Sequence, residues 1–345
     1  MINIIQNKIT TNKEIISIFI LIFTSFILIY STFLFPIIIS LVISYLLNNI
    51  TTFLNRIGIS NKISFIIIYC IFLAVFLLIL LIILPSIFKQ LVILFNDLPF
   101  MIQKVKFLTY KFIEKYPLLF SPEQTNLLFS NIIAYVQSIG KTIISASILS
   151  LAIIIQWVLY ILLIPILVFF LMKDNIKIIK WFKNLIPNKV IFFKKIWNIT
   201  NKQISNYIRG KLFEIIIMTI THYILFKYYD LPYSELLSFI VGMSAIIPYI
   251  GTIIVSIPIL FISSIHLGMS IDFIYLTLIY ALIQFIDGNL LVPILFSGAV
   301  NLHPLSILMA VIIFGSTLDF YGVVFAIPLA IFIKAIIELH LIPNY

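Results

Sequence analysis

Gln284–Phe285–Ile286–Asp287–Gly288–Asn289–Leu290–Leu291–Val292–Pro293 is the stretch on which the reading of this chain turns. The apolar run Phe273 to Ile286 leads into it, and another apolar run leaves from Leu305, beyond Gly298 and His303–Pro304. An acid, an amide, a glycine and a proline thus interrupt what would otherwise be continuous membrane helix. In hydrocarbon every backbone N–H and C=O needs an internal partner, so a polar break survives only where protein or water lines it. Such breaks are where transporters tend to place their binding sites. The stretch reads either as part of a transport site or as an ordinary loop at the membrane surface.

Composition sets the class. Of 345 residues, 63% are hydrophobic and only 10% charged, whereas a globular chain is nearer half apolar and a quarter charged. An all-α polytopic membrane protein is the expected fold class. The single cysteine, Cys70, lies in an apolar run, so no disulfide framework or cysteine metal cluster is expected. The first apolar stretch, from Ile15, is too long for a removable signal. The net charge of +10 does not point to nucleic acid. Ten of the 22 basic residues fall between Lys173 and Lys211, against one acid, Asp174. That is the pattern of a cytoplasmic loop obeying the positive-inside rule.

The order of segments predicts about eight spans, with both termini cytoplasmic. Residues 1–85 form an N-terminal three-span unit: Ile15–Phe35, Pro36–Ile50 and Ile63–Leu84, the last ended by Pro85. Residues 86–145, cut by Pro99, Pro117 and Pro122, form a small extracytoplasmic helical insert. A fourth span lies in 146–172, followed by basic interfacial helices in 173–208. Residues 209–345 form the transport core, with breaks at 248–251, 287–293 and 315–322. Seven of the ten glycines lie between Gly242 and Gly322, as close helix contact or backbone freedom would require. Glu235–Ile265 and Leu305–Ile337 are each too long for one span. Each is either one tilted helix or a re-entrant pair.

Five landmarks appear in order: Tyr207–Ile208–Arg209–Gly210, Ile247–Pro248–Tyr249–Ile250–Gly251, Asp287–Gly288–Asn289–Leu290–Leu291–Val292–Pro293, His303–Pro304 and Ala326–Ile327–Pro328. Their series, over the whole chain, resembles the autoinducer-2 exporter family of bacterial permeases. The resemblance implies a multi-span inner-membrane permease, expected to be oligomeric. It also implies either export of a small solute such as autoinducer-2 or sodium–proton exchange. The family's last broken helix is glycine-rich; here Phe314 and Asp319 stand where glycines are expected, with Gly315 and Gly322 retained.

The candidate pathway residues are Arg209, Glu214, Pro248, Tyr249, Gly251, Gln284, Asp287, Asn289, Pro293 and Asp319. Arg209 is one of only two arginines in a lysine-rich chain; its planar fork binds carboxylate or phosphate bidentately, or anchors the helix at the interface. Glu214, five residues on, is not ideally placed to pair with it along a straight helix. An acid such as Asp287 within a membrane helix costs at least ~2.5 kcal/mol on insertion scales. It is therefore either a proton- or cation-loading group or an acid solvated at the aqueous end of its helix. Gln284 and Asn289 offer amides for a polar solute or for capping. Pro248, Tyr249 and Gly251 mark a partner break, Pro293 ends the opening stretch, and Asp319 adds an acid to the last break.

The expected partners are a small solute, H+ or Na+, the lipid bilayer and further copies of the chain, with no nucleic acid. His222 and His266 lack ligands at metal spacing, and no cofactor is expected. The chain has no His-Glu-x-x-His, no Gly-x-Ser-x-Gly and no nucleotide-binding loop, so neither an enzyme nor an ATP-driven pump is expected. A channel or a non-transporting structural membrane protein is the alternative to a gradient-driven carrier.

Overall fold

The computed structural model describes residues 35–115, 127, 129–135, 138, 151–185, 191–248, 250–296 and 302–341. Among these the chain is helical, in the order α1 (Phe35–Arg56), α2 (Asn61–Leu78), α3 (Leu84–Lys115), α4 (Leu151–Lys173), α5 (Asn175–Leu185), α6 (Ile191–Tyr228), α7 (Ser234–Ser244), α8 (Ile250–Leu267), α9 (Ile271–Ile286), α10 (Val292–Leu295) and α11 (Pro304–Leu341). Five-residue π-turns join α2 to α3 (Ile79–Ile83) and α9 to α10 (Asp287–Leu291).

Among the described residues, six stretches are long and apolar enough to cross a bilayer: Phe35–Arg56, Asn61–Phe107, Ile155–Lys173, Ile250–Leu267, Ile271–Leu295 and Pro304–Glu338. The protein is polytopic and all-α. Of the spans expected from sequence, Ile15–Phe35 lies outside the described residues except for its last position. The span from Lys211 is helical as part of α6, but Lys211, Glu214 and Lys227 keep it outside the apolar set. Side chains such as Leu81, Ile82, Ile257 and Ile294 point outward at 64–71% exposure. That is the surface a lipid-facing helix presents, since tails solvate Ile and Leu as well as a core does.

Two expected stops are not stops. Helix continues past Pro85 and through Pro99 to Lys115. Pro85 follows the first π-turn by two positions, and Pro293 follows the second by two. A proline donates no N–H and its ring presses on the carbonyl four residues back. In both places that carbonyl, of Leu81 or Asn289, lies inside the π-turn, where the i→i−5 register displaces it. The helix therefore bulges instead of ending. Gly58 does end one: at φ 100° it closes α1, and the Ile59 amide donates to Leu54 O at 3.2 Å.

Both over-long segments prove to be hairpins. In the first, a Cβ on Gly251 would stand 2.0 Å from Ser244 O, so α8 doubles back on α7 with only hydrogen in the gap. Leu237 and Val241 share one buried core with Val255, Ile259 and Ile262. With 11 residues, α7 reaches ~16 Å, half the ~30 Å hydrocarbon depth, the length of a re-entrant arm. In the second, α11 leaves helical geometry at Asp319 (φ 51°, ψ −135°). A Cβ on Gly322 would lie 1.8 Å from Phe314 O, and one on Gly315 2.9 Å from Val323 Cγ2. Eight residues of straight helix cover ~12 Å, so the arms 304–318 and 320–341 fold back on each other.

The described residues fall into two compact units. One takes the chain up to Ile68, Tyr160–Asn201 and the chain from Leu302 onward; the other takes Tyr69–Leu159 and Lys202–Asn301. The second unit contains the core of Met218, Leu225, Phe226, Leu231, Leu237, Val241, Val255, Ile259, Ile262 and Tyr280. There α3 is stitched to the start of the first hairpin by polar contacts. Ser86 donates to Glu235, the Leu236 amide donates to Gln90 Oε1 at 2.9 Å, and Tyr233 donates to Asp97 Oδ2 at 2.5 Å.

The second hairpin makes two predictions. Gly322→Ala forces a methyl against Phe314 O and should lower stability by about 1–3 kcal/mol. Asp319→Gly removes a side chain from a backbone conformation that only glycine adopts freely, and should raise stability by about 1 kcal/mol. Thermal unfolding midpoints in detergent check both; a destabilised Asp319→Gly would mean that its carboxylate has a stabilising contact.

Candidate transport site

The site is built where α6 meets the turn of the first hairpin and the end of α10. Gly210 permits the approach: a Cβ there would lie 2.9 Å from Leu295 O and 3.0 Å from Phe296 Cε1. Tyr207, one turn earlier, packs its ring 5.5 Å from that of Phe296. The next residue, Lys211, is the centre of the cluster. Its ammonium donates to Glu214 Oε2 at 2.7 Å and to Ala245 O at 2.8 Å, and lies 5.0 Å from the Phe296 ring centroid.

All three charged members are secluded. The Lys211 and Glu214 side chains are 13% and 4% exposed, and Asp287 is 6% exposed. Asp287 is close enough for its charge to act on both Lys211 and Glu214. Its Oδ1 is buried with no hydrogen-bond partner among the described residues. Two buried carboxylates therefore lie in the field of one ammonium, which pairs with Glu214. In a low-dielectric setting the extra negative charge is costly, and a proton or a monovalent cation on a carboxylate would neutralise it.

The π-turn explains how Asp287 reaches this position. The Val292 amide donates to Asp287 O, five residues back, which widens the turn. Such turns insert one extra residue into a helix and recur at functional sites. The expected break at 287–293 is thus a bulge within a continuous helical run, Ile271–Leu295. Gly288 has open space around it and is not needed for an unusual φ.

A polar row continues along α9. Tyr280, Gln284 and Asp287 recur at helical spacing, and His222 of α6 faces them. His222 is fully buried; its Nδ1–H donates to Met218 O at 2.8 Å, which leaves Nε2 as the acceptor for Gln284 Nε2 at 3.4 Å. The Tyr280 hydroxyl shares a 2.9 Å hydrogen bond with Ser256 Oγ. Apart from Asp287, where it meets the charged cluster, this row is neutral.

Of the residues singled out from sequence, Glu214 and Asp287 are brought together, and Gln284 joins the adjoining row. Pro248 and Gly251 shape the hairpin turn whose Ala245 carbonyl Lys211 holds. Arg209 is not in the cluster: it is exposed and bonds within its own helix, to Ser205 O, Ser205 Oγ and Asn206 Oδ1. Asn289 is exposed and donates to Phe285 O, and Pro293 is exposed. Tyr249 lies outside the described residues, as does Gly298. Asp319 is exposed at the apex of the other unit's hairpin. Lys211 was not among the candidates, although its spacing to Glu214, three residues, is the one that pairs charges on a helix. The arginine drew attention through rarity, while geometry favoured the lysine.

Comparison with known proteins agrees with this architecture. The model of the AI-2E family transporter matches residues 16–341. The chain is 35% identical over 309 residues to "Putative permease PerM" of Escherichia coli (strain K12), covering 90% of this chain and 88% of the relative. It is 25% identical over 333 residues to "Putative transport protein YrrI" of Bacillus subtilis (strain 168), covering 91% and 88%. A second protein of that strain, "Putative transport protein YueF", is 24% identical over 319 residues. These are permease and transport-protein names, not names of an enzyme class. With its multi-pass helical fold and a match over nearly its whole length, the chain belongs to the AI-2E family of transporters.

Proposed function

We propose that the protein is an ion-gradient-coupled secondary transporter or exporter of a small solute, with the Lys211–Glu214–Asp287 cluster as its coupling site. The observation that carries this reading is the Asp287 carboxylate, seated on a π-turn at 6% exposure with Oδ1 unpartnered among the described residues. A group that must load and release a proton or Na+ needs an open coordination position and a nearby competing cation. Lys211 is that cation. The hairpin turn, joined to Lys211 through Ala245 O, is the element such loading would move. Gln284, with Tyr280 and His222, lines the adjoining neutral route for a solute.

In this reading the transporter works in the bacterial inner (cytoplasmic) membrane as a homo-oligomer with cytoplasmic termini. The family makes an autoinducer-2-like solute and Na+/H+ exchange the first cargoes to test. Arg209, Asn289, Pro293 and Asp319 enter as outer parts of the pathway, and 209–345 as the segment containing its breaks. The opposite reading, a pore, rests on the same broken helices.

Flux in proteoliposomes with imposed proton and sodium gradients tests it. Asp287→Asn should cut gradient-driven flux at least tenfold and flatten its pH dependence; an unchanged rate and pH profile would remove the coupling role. Current linear in voltage, without saturation, would establish the pore instead. The ion pair makes a separate prediction for stability. Lys211→Gln strands two carboxylates and should cost about 3–5 kcal/mol at neutral pH. The double variant Lys211→Gln/Glu214→Gln, with one fewer stranded charge, should recover much of that loss in thermal unfolding.

A further inference from the structure

The end of α4 carries a surface that the transport reading does not use. Three lysines, Lys173, Lys177 and Lys180, occur at spacings of four and three. Helical hydrogen bonding crosses the α4–α5 junction, Asp174 N to Phe170 O and Ile178 N to Asp174 O, both at 2.9 Å, so one helical register applies to all three. At ~100° per residue the lysines fall within about 60° of one another. All three are exposed, the Lys177 side chain to 84%. The stripe is bordered on one side by Ile176, 71% exposed, and on the other by Trp181, 59% exposed.

Position makes this face more than a solvated run of charge. Lys173 is the last residue of the apolar span Ile155–Lys173, so the stripe begins at the bilayer boundary and continues for two turns. The acid nearest in sequence, Asp174, is held by Lys177 at 2.8 Å, which leaves the three lysines in charge excess. An amine stripe edged by a large aliphatic and an indole matches the headgroup layer: lysines meet phosphates while Trp and Ile reach the acyl boundary.

We propose that the Lys173–Lys177–Lys180 face is a docking surface for anionic phospholipid headgroups of the adjoining leaflet, and that it ties α5 to the bilayer surface. The proposal stands independently of the transport site. It predicts that α5 is ordered by lipid charge and not by lipid contact in general. Each lysine near an anionic surface contributes about 1 kcal/mol, equivalent to roughly a fivefold change in occupancy.

Hydrogen exchange of the full chain in nanodiscs tests this. Amides 175–181 should exchange at least fivefold more slowly in phosphatidylglycerol discs than in phosphatidylcholine discs. The triple variant Lys173→Gln/Lys177→Gln/Lys180→Gln should lose that difference, and the triple arginine variant should keep it. Exchange within the Ile250–Leu267 helix, unaffected in all cases, reports that the variants fold. Equal protection in both lipids overturns the proposal. So does protection in phosphatidylcholine discs on adding soluble heparin that matches the phosphatidylglycerol effect, because the face would then be a general polyanion or partner-protein site.

Discussion

The bilayer interior offers a backbone no water, and the π-turns and hairpins among the described residues are shaped by that constraint. Two prolines, Pro85 and Pro293, could have broken membrane helices and exposed carbonyls to hydrocarbon. Each is instead preceded by a π-turn that shifts the carbonyl its ring would strike. At the second, the same adjustment inserts a carboxylate, Asp287, into the protein interior. A backbone necessity and a buried carboxylate thus share five residues.

Where the chain does reverse, glycine sits at the crossing. Gly251 against Ser244 O and Gly322 against Phe314 O each leave no room for a methyl group. Close approach at these points lets a carbonyl-rich turn be lined by protein, and in the first hairpin that turn becomes a ligand of Lys211 through Ala245 O. Gly210 does the same for α6 against Leu295 and Phe296. The charged cluster exists because two glycines, Gly210 and Gly251, let backbones touch around it. Asp319 is the exception: it adopts a glycine conformation with a side chain at the very position where the family resemblance leads one to expect glycine.

The cluster's charge balance links packing to function. One ammonium, two carboxylates and an aromatic face leave the cluster one positive charge short of balance, and the proposed ion coupling rests on that imbalance. Beside it, the row of Ser256, Tyr280, Gln284 and His222 carries no net charge and is arranged through donor–acceptor matching, with the His222 tautomer set by Met218 O. In the proposed transporter the charged cluster would serve the ion and the neutral row the solute.

Amino-acid composition and apolar run length determined the class, because unbroken apolar runs such as Ile63–Leu84 cross a bilayer as helix, whereas the strands of a barrel alternate apolar with polar residues. They also located the three irregular regions, since acids, glycines and prolines are too costly there without a cause. What kind of irregularity each would be lay beyond one-dimensional reading. Pro248–Gly251 and Gly315–Gly322 became hairpins and Asp287–Pro293 a bulge, because the outcome depends on which backbone lies opposite each glycine. Composition made Arg209 conspicuous; only the packed structure showed Lys211 at the centre. Whether a side chain on a long helix meets a carboxylate, a carbonyl or lipid depends on the rotation of that helix against its neighbours, and tertiary packing alone sets that rotation.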